Sequence, residues 1–467
     1  MIGALLSATL AAGTAAARAA PPTPPPPAAA IRRAGPAGSL LIVDANHTVP
    51  LVHVVVASRS GSAADPRHRE GLTNLAAEWA RRGAGGRSRE EIDAALDALG
   101  ATLEVSTFPD STRFEGEVLT RNLEAYLTIM ADILVRPKFS ATELERTRRE
   151  IIGQIDEQRN DDRALAGRFF TRNLYADHPY GHPADGVASA LQAAHADEVS
   201  AHFRRHFVGK NLVFAFSGDV EADALAATLK RAFHGLSTGT APEVNPLEVR
   251  EPVPPKGWRI QLVDKPDRQQ TQLLFGHPAV RATDPDFVPL TLGLAAFGGH
   301  AMNATLMSEI RRKRGLAYGA YLTLAPRRGV GAATGWVFSG SDKTVTTLKL
   351  ALRLYVAFME KGLSADEVTF FKRFLIGSHA SDMDQPEHRL AARVTAEVVG
   401  LPADFVDSYA ERLNALTPAE VNAAIKRRVH ARDLAITMVA TASVMKKLLV
   451  DAKVAETAID VVPYDSY

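Results

Sequence analysis

The sequence predicts an α+β fold of two similar tandem domains, each a mostly antiparallel sheet covered by helices. Three observations lead to this prediction. The chain has 467 residues, more than one hydrophobic core usually covers. A repeat at a fixed offset divides it near its middle. Within each half, runs of strands are followed by long helices, an order that favours helices packed on an antiparallel sheet.

The repeat rests on two pairs of short matches. Ser140-Ala141-x-Glu143-Leu144 recurs as Ser364-Ala365-x-Glu367-Val368, and Ile152-Gly153 recurs as Ile376-Gly377. Both pairs differ by 224 positions (364 − 140 and 377 − 153). Between the halves, residues 237–257 contain five prolines, a composition that stops helices and suits an exposed linker. A duplicated domain joined by a linker explains both features.

Hydrophobic periodicity gives the elements within each half. Leu51 to Ala57 and Thr102 to Val118 have the pattern of strands, and apolar runs that begin at Leu212 and Leu434 predict a strand near the end of each half. One helix face follows the i, i+3, i+4, i+7 spacing and consists of Leu144, Thr147, Arg148, Ile151, Ile152 and Ile155.

These patterns set the predicted domain boundaries. We assign residues 1–19 to a signal peptide, 20–38 to a Pro/Ala-rich spacer, 39–236 to the N-terminal domain, 237–257 to the linker, 258–450 to the C-terminal domain and 451–467 to a tail.

The N-terminus predicts export. Met1 to Ala20 is a run of apolar and small residues in which Ala17-Arg18-Ala19 has the Ala-x-Ala pattern of secretory cleavage. An N-terminal membrane anchor is the alternative, although the many alanines make this segment weakly hydrophobic and no cationic region precedes it. We expect an exported protein of the bacterial periplasm, with no membrane span in the mature chain.

Composition excludes several classes of function. The 54 Lys and Arg residues are balanced by 53 Asp and Glu residues, so no surplus of positive charge is available for nucleic acid. The absence of cysteine excludes disulfides and cysteine-based zinc sites.

Two segments resemble pieces of the pitrilysin or insulinase-type zinc peptidases, the inverzincins. The first is Gly71-Leu72-Thr73-Asn74-Leu75-Ala76-Ala77-Glu78-Trp79, and the second is the run from Glu309 to Tyr318, which ends in Arg314-Gly315-Leu316-Ala317-Tyr318. The family carries His-x-x-Glu-His in the first place and an Arg and a Tyr in the second. The resemblance extends from about Ser39 to Val450 and implies that the two domains form half of a clamshell.

The resemblance also implies that the zinc site is lost. The two histidine ligands would fall at Asn74 and Glu78, the general base at Ala77, and the third ligand at Gly153 or Gln154. An amide is a poor zinc ligand, and an alanine accepts no proton. Because Gly377 is equivalent to Gly153, we expect close-packed helix contacts at both glycines. The chain should therefore hold no cofactor and be inactive alone.

Arg314 and Tyr318 are the predicted catalytic and substrate-binding residues. By resemblance, Tyr318 would donate its hydroxyl to the oxyanion of peptide hydrolysis, and Arg314 would hold a carbonyl of the substrate backbone. Judged by residue type alone, Arg314 would instead cap the end of a helix and Tyr318 would begin a strand. In the family this pair faces the zinc of another half-molecule. The resemblance thus implies a heterodimeric peptidase whose partner is a zinc-bearing homologous subunit.

Two histidine groups offer other metal sites. Glu198, His202 and His206 are spaced i, i+4, i+8 on a predicted helix, and His178 and His182 lie in one loop. For both groups the alternative is a structural role. Two further functions remain open for the whole chain: a structural or assembly protein like the core subunits of respiratory complexes, and a clamshell that binds peptides without hydrolysing them.

Overall fold

The computed structural model describes residues 30–240, 242–245, 249–454 and 459–466. Two six-stranded sheets form its framework, one in each half of the chain. The first sheet has the order β1-β2-β8-β3-β7-β6, and all its strand pairs are antiparallel except β2 with β8. Its strands are β1 (Ile31–Ala34), β2 (Leu40–Ala45), β3 (Leu51–Ser58), β6 (Glu104–Thr107), β7 (Thr112–Leu119) and β8 (Leu212–Gly218). A short hairpin of β4 (Gly83–Ala84) and β5 (Arg87–Ser88) stands apart from it.

The second sheet has the order β11-β12-β10-β13-β9-β14. Here β9 is parallel to both β13 and β14, and the other pairs are antiparallel. The strands are β9 (Trp258–Asp264), β10 (Gln270–Pro278), β11 (Ala317–Leu324), β12 (Ala332–Gly340), β13 (Leu434–Ala440) and β14 (Asp460–Pro463). The predicted class, helices on mostly antiparallel sheets in two similar domains, is confirmed.

Helices cover both sheets. Those of the first half are α1 (Leu72–Ala80), α2 (Arg89–Leu99), α3 (Leu123–Val135), α4 (Ala141–Gln158), α5 (Asp162–Tyr175), α6 (Ala188–Ala193), α7 (Ala196–His206) and α8 (Ala222–Ala232). Those of the second half are α9 (Phe287–Gly298), α10 (Thr344–Lys361), α11 (Ala365–Met383), α12 (Pro386–Val399), α13 (Tyr409–Ala415), α14 (Pro418–Arg428) and α15 (Ala442–Asp451).

The repeat found in the sequence has a structural counterpart. Helices α4 and α11 begin 224 residues apart (365 − 141), and so do α5 and α12 (386 − 162). The predicted face of α4 is also correct in that Leu144, Ile151 and Ile155 are almost fully buried. The offset therefore relates equivalent helices of two copies of one domain.

The two halves exchange helices. Phe169 and Phe170 of α5, in the first half, pack on Leu274 of the second sheet. Reciprocally, Leu390 and Val394 of α12 pack on the first sheet. A buried ion pair accompanies this contact, in which Arg389 Nε lies 2.6 Å from Asp44 Oδ2 of β2. Each half thus completes the core of the other.

Two strands lie outside the ranges predicted for the domains. Strand β1 falls in the predicted spacer and pairs with β2, and β14 falls in the predicted tail and pairs with β9. The predicted signal peptide at 1–19, and the spacer up to residue 29, lie outside the described residues. Within the described ranges, no helix combines the length and the apolar character that crossing a membrane requires.

Candidate functional site

Helix α1 forms where the sequence resembles a zinc helix. It begins after Gly71, whose φ of +96° is in the left-handed region. A Cβ at Gly71 would lie 2.6 Å from the Cα of Gly186, so only glycine fits this turn. The buried Asp65 carboxylate accepts hydrogen bonds from the backbone amides of Gly71 and Thr73 at 2.7 and 2.8 Å, which holds the first turn. One face of α1 packs in the core, since Leu72, Leu75, Ala76, Trp79 and Ala80 are at most 2% exposed.

Ion pairs occupy the side of α1 that carries Glu78. Arg82 Nη2 lies 3.6 Å from Glu78 Oε2, and Arg82 Nη1 lies 2.8 Å from Glu150 Oε2 of α4. Glu150 also accepts a 3.0 Å hydrogen bond from Arg89 of α2. Burial raises the pKa of Glu78, while the charges of Arg82 and Arg81 act in the opposite direction. These contacts tie α1 to α2 and α4 without a metal.

Zinc does not fit this donor set. Asn74 offers an amide, Ala77 is fully buried, and the carboxylate of Glu78 is already engaged with an arginine. Over the described ranges, no three His, Cys, Asp or Glu side chains are grouped closely enough to hold a metal ion.

The packing predicted for Gly153 and Gly377 is wrong. A Cβ built on either glycine meets no atom within 4 Å, so both positions face open space on their helices. Gln154, the neighbouring candidate for the third ligand position, is exposed as well. The sequence repeats a glycine here, but no close helix contact requires it.

The histidines of α7 have structural partners. Glu198 Oε1 accepts a 2.8 Å hydrogen bond from Arg69 Nε. His202 Nε2 lies 2.8 Å from Thr73 Oγ1, and His206 Nδ1 lies 2.8 Å from Ser60 Oγ. Burial lowers the pKa of His202 to about 3 and that of His206 to about 4, so both imidazoles are neutral at pH 7. The three side chains point to different partners and form no metal site.

The loop that contains His178 and His182 also has a structural explanation. His178 Nδ1 accepts a 3.1 Å hydrogen bond from the backbone amide of Tyr180, which caps a short 3₁₀ turn. His182 is half-buried, and its Nε2 lies 3.9 Å from Glu70 Oε1.

Backbone irregularities surround the second predicted segment. Residues Met307–Arg312 form a turn of π-helix, a feature frequent at functional sites. Gly315 follows with φ +58°, and β11 then starts with a bulge between Ala317 and Gly319. Tyr318 is the extra residue of this bulge and is 74% exposed. A bulge redirects a side chain out of the pleated ladder, which explains why a large aromatic residue faces solvent here.

The structure brings Arg311, not Arg314, to Tyr318. The guanidinium carbon of Arg311 lies 4.9 Å from the centre of the Tyr318 ring, the geometry of a cation–π contact. Arg314 donates instead to the backbone carbonyl of Glu309 at 2.8 Å and pairs with the Glu309 carboxylate. Hydrogen bonds from Lys313 and Arg314 lower the pKa of Glu309, so this carboxylate is ionised.

Arg311 is the functional candidate that the sequence analysis missed. Across the described parts of the chain, no carboxylate pairs with Arg311 and no group bonds to the Tyr318 hydroxyl. One signal in the sequence points to Arg311. Glu309 and Lys313 are spaced i, i+4, which favours an ion pair between them and leaves Arg311 without this acid. The pair Arg311 and Tyr318 thus presents unused donors on one exposed surface of the second half.

Comparison with known proteins agrees with this architecture. Residues 40–186 match the model of insulinase, peptidase family M16, and residues 193–375 match the model of the peptidase M16 inactive domain. The chain belongs to the insulinase (M16) family. Both halves of the molecule contribute to this match.

Individual similar proteins share little sequence identity with this chain but match most of its length. A non-peptidase homologue, YmxG of Helicobacter pylori, is 23% identical over 85% of this chain and 91% of its own. A crystal structure of a peptidase M16 inactive domain from Pseudomonas fluorescens has a TM-score of 0.80 at 22% identity and covers 88% of this chain and 98% of that one. The periplasmic protease PqqL of Escherichia coli has a TM-score of 0.74 at 14% identity, with 94% of this chain matching 52% of PqqL. The fold of this chain therefore corresponds to about half of the PqqL molecule.

Proposed function

We propose that this chain is the non-zinc subunit of a heterodimeric metallopeptidase of the insulinase type. It is inactive alone and contributes Tyr318 and an arginine in trans to the peptide bound at a zinc-bearing homologous partner. The observation that carries the proposal is the exposed Tyr318 at a bulge, with the uncommitted guanidinium of Arg311 over its ring. Surface donors without partners suit a site that is completed by another molecule.

The chemistry assigned to this chain is electrostatic. Attack on a peptide carbonyl creates an oxyanion, and a preorganised hydroxyl such as that of Tyr318 stabilises it. An adjacent guanidinium favours the anionic transition state further and can bind a backbone carbonyl with its fixed fork of donors. Activation of water is left to the partner, because α1 offers neither a base at Ala77 nor a histidine at Asn74 or Glu78.

Arg314 remains a second candidate for the arginine role. Its pairing with Glu309 is exposed, and exposed ion pairs are worth about 1 kcal/mol or less, so a substrate could displace it. The two arginines can be separated by experiment, since only Arg311 touches Tyr318 in this structure.

The proposed location follows from the N-terminus and the relatives. A signal peptide at residues 1–19 would export the chain, and PqqL, with a similar fold, is described as a periplasmic protease. We propose the bacterial periplasm for this chain too, with domains at 39–236 and 258–450 joined by the linker at 237–257.

The test compares four versions of the chain in complex with the zinc-bearing homologue from the same organism. Tyr318→Phe should lower peptide turnover by roughly 100-fold without loss of the complex, because it removes one oxyanion donor. Arg311→Ala should lower turnover in the same way, whereas Arg314→Ala should have a smaller effect. Complex assembly is checked for each variant by gel filtration.

The contrary results point to different functions. If both Tyr318→Phe and Arg311→Ala complexes form and cleave peptide at the wild-type rate, the chain acts as a structural or assembly subunit. If the complex retains peptide but never hydrolyses it, the chain belongs to a peptide-binding clamshell.

A further inference from the structure

A cavity of about 890 Å³ is lined mainly by residues of the first half, and neither Arg311 nor Tyr318 lines it. Strand β1, the turn at residues 35–39, the C-terminal end of α7 and residues 242–245 of the linker form its walls. Sites for small organic molecules commonly enclose about 300–1,000 Å³, so the cavity has the size of a ligand site.

The lining of this cavity is strongly basic. Among its lining residues Glu243 is the one acid, whereas the cations are Arg32, Arg33, Arg59, Arg205, Lys210 and Arg328. The whole chain carries a formal net charge of only +1, so the concentration of positive charge is local. A concave surface of one charge sign attracts ligands of the other.

Some of these cations already have partners. Arg32 and Arg59 share the carboxylate of Glu397, and Arg328 donates to the carbonyls of Arg59 and Asp110. Arg205 and Lys210 are different, because neither has an ion pair within the described residues. Their charges are therefore available to a ligand.

Helix stabilisation does not account for Arg205. The last turn of α7 contains Arg204 as well, and a single cation there already complements the helix dipole. Arg204 lies over the ring of Phe139 at 5.6 Å and does not line the cavity. Arg204 and Arg205 are adjacent on one helical turn, but only Arg205 lines the cavity.

We infer that this cavity binds a small phosphate-bearing polyanion, held by Arg205 and Lys210. Phosphate oxygens accept charge-assisted hydrogen bonds from guanidinium and ammonium groups, which matches these two cations without ion pairs. The inference is independent of the proposed peptidase role, since none of these residues belongs to the Arg311–Tyr318 surface.

Calorimetric titration of the full mature chain with sodium tripolyphosphate, in a buffer of low ionic strength, tests the inference. We expect saturable one-to-one binding. The double variant Arg205→Glu/Lys210→Glu should weaken it by at least about tenfold, as expected when charge-assisted hydrogen bonds are lost. The matched control Arg204→Glu/Lys230→Glu changes net charge by the same amount at the ends of α7 and α8 and should bind as the wild type does.

A second ligand completes the test. Citrate should bind at least about tenfold more weakly than tripolyphosphate if the site selects phosphate. Equal loss of binding in both double variants, equal affinity for citrate, or no saturable binding by the wild type would each overturn the inference.

Discussion

Rebuilding the erased metal site would test the alignment of α1 with the zinc helix of the M16 family. We choose the triple variant Asn74→His/Glu78→His/Gly153→Glu, which supplies two imidazoles and a carboxylate, a set found in catalytic zinc sites. Ala77 is left unchanged. That residue is fully buried, and a carboxylate placed there without a partner would cost several kcal/mol.

The structure sets the expected cost of each substitution. A side chain at Gly153 meets no atom within 4 Å, and replacing an exposed helical glycine by glutamate should stabilise the helix by about 0.5 kcal/mol. The Glu78 contact with Arg82 is long, at 3.6 Å, and Arg82 keeps its 2.8 Å contact with Glu150, so loss of the Glu78 carboxylate should cost about 1 kcal/mol. The metal-free triple variant should therefore be nearly as stable as the parent.

Zinc should then stabilise the variant and not the parent. At a free zinc concentration one hundred times the dissociation constant, binding to the folded state adds about 2.7 kcal/mol. Denaturant unfolding with and without zinc measures this difference. The control is Asn74→His/Glu78→His, which lacks the added carboxylate and should gain less. A folded triple variant that zinc does not stabilise would refute the alignment of Asn74, Glu78 and Gly153 with the ligand positions.

Two further predictions concern stability. Asp44→Ala should lower the free energy of unfolding by about 3–5 kcal/mol, because it leaves the buried Arg389 uncompensated. The control Asp404→Ala, in the exposed pair with Arg412, should cost about 1 kcal/mol or less. Similar losses for the two variants in denaturant unfolding would contradict this account. Burial lowers the pKa of His277 from 6.5 to about 4, so the unfolded chain binds more protons between these values and stability must fall as pH drops from 6.5 to 4. His277 should account for up to about 3 kcal/mol of that fall, and His277→Gln should remove this part of the pH dependence; an unchanged pH profile would show that His277 is not the titrating group.

Much of the fold could be predicted because local patterns determine it. The apolar spacing of α4 predicted which of its residues face the core, and the offset between Ser140 and Ser364 revealed the duplication. Periodicity cannot tell which sheet a helix covers, however. Phe169 and Phe170 predict an apolar face on α5, but nothing in the sequence shows that this face packs on the sheet of the other half.

The candidate site was less predictable because contacts between side chains, and not local sequence patterns, decide its arrangement. The second segment contains four cations in a row, and their roles depend on competition for one acid, Glu309. Lys313 and Arg314 bind this acid, which leaves Arg311 for Tyr318. Gly153 recurs as Gly377, and a repeated glycine suggests close packing, whereas both copies face open space.

A titration of the zinc-bearing homologue with this chain tests the central claim most directly. Peptide hydrolysis should be negligible for either chain alone and should rise with added chain to a plateau at equimolar ratio. The Tyr318→Phe chain should reach its plateau at the same ratio but roughly 100-fold lower. A rate that does not depend on the added chain, or hydrolysis by this chain without the homologue, would contradict a role in trans.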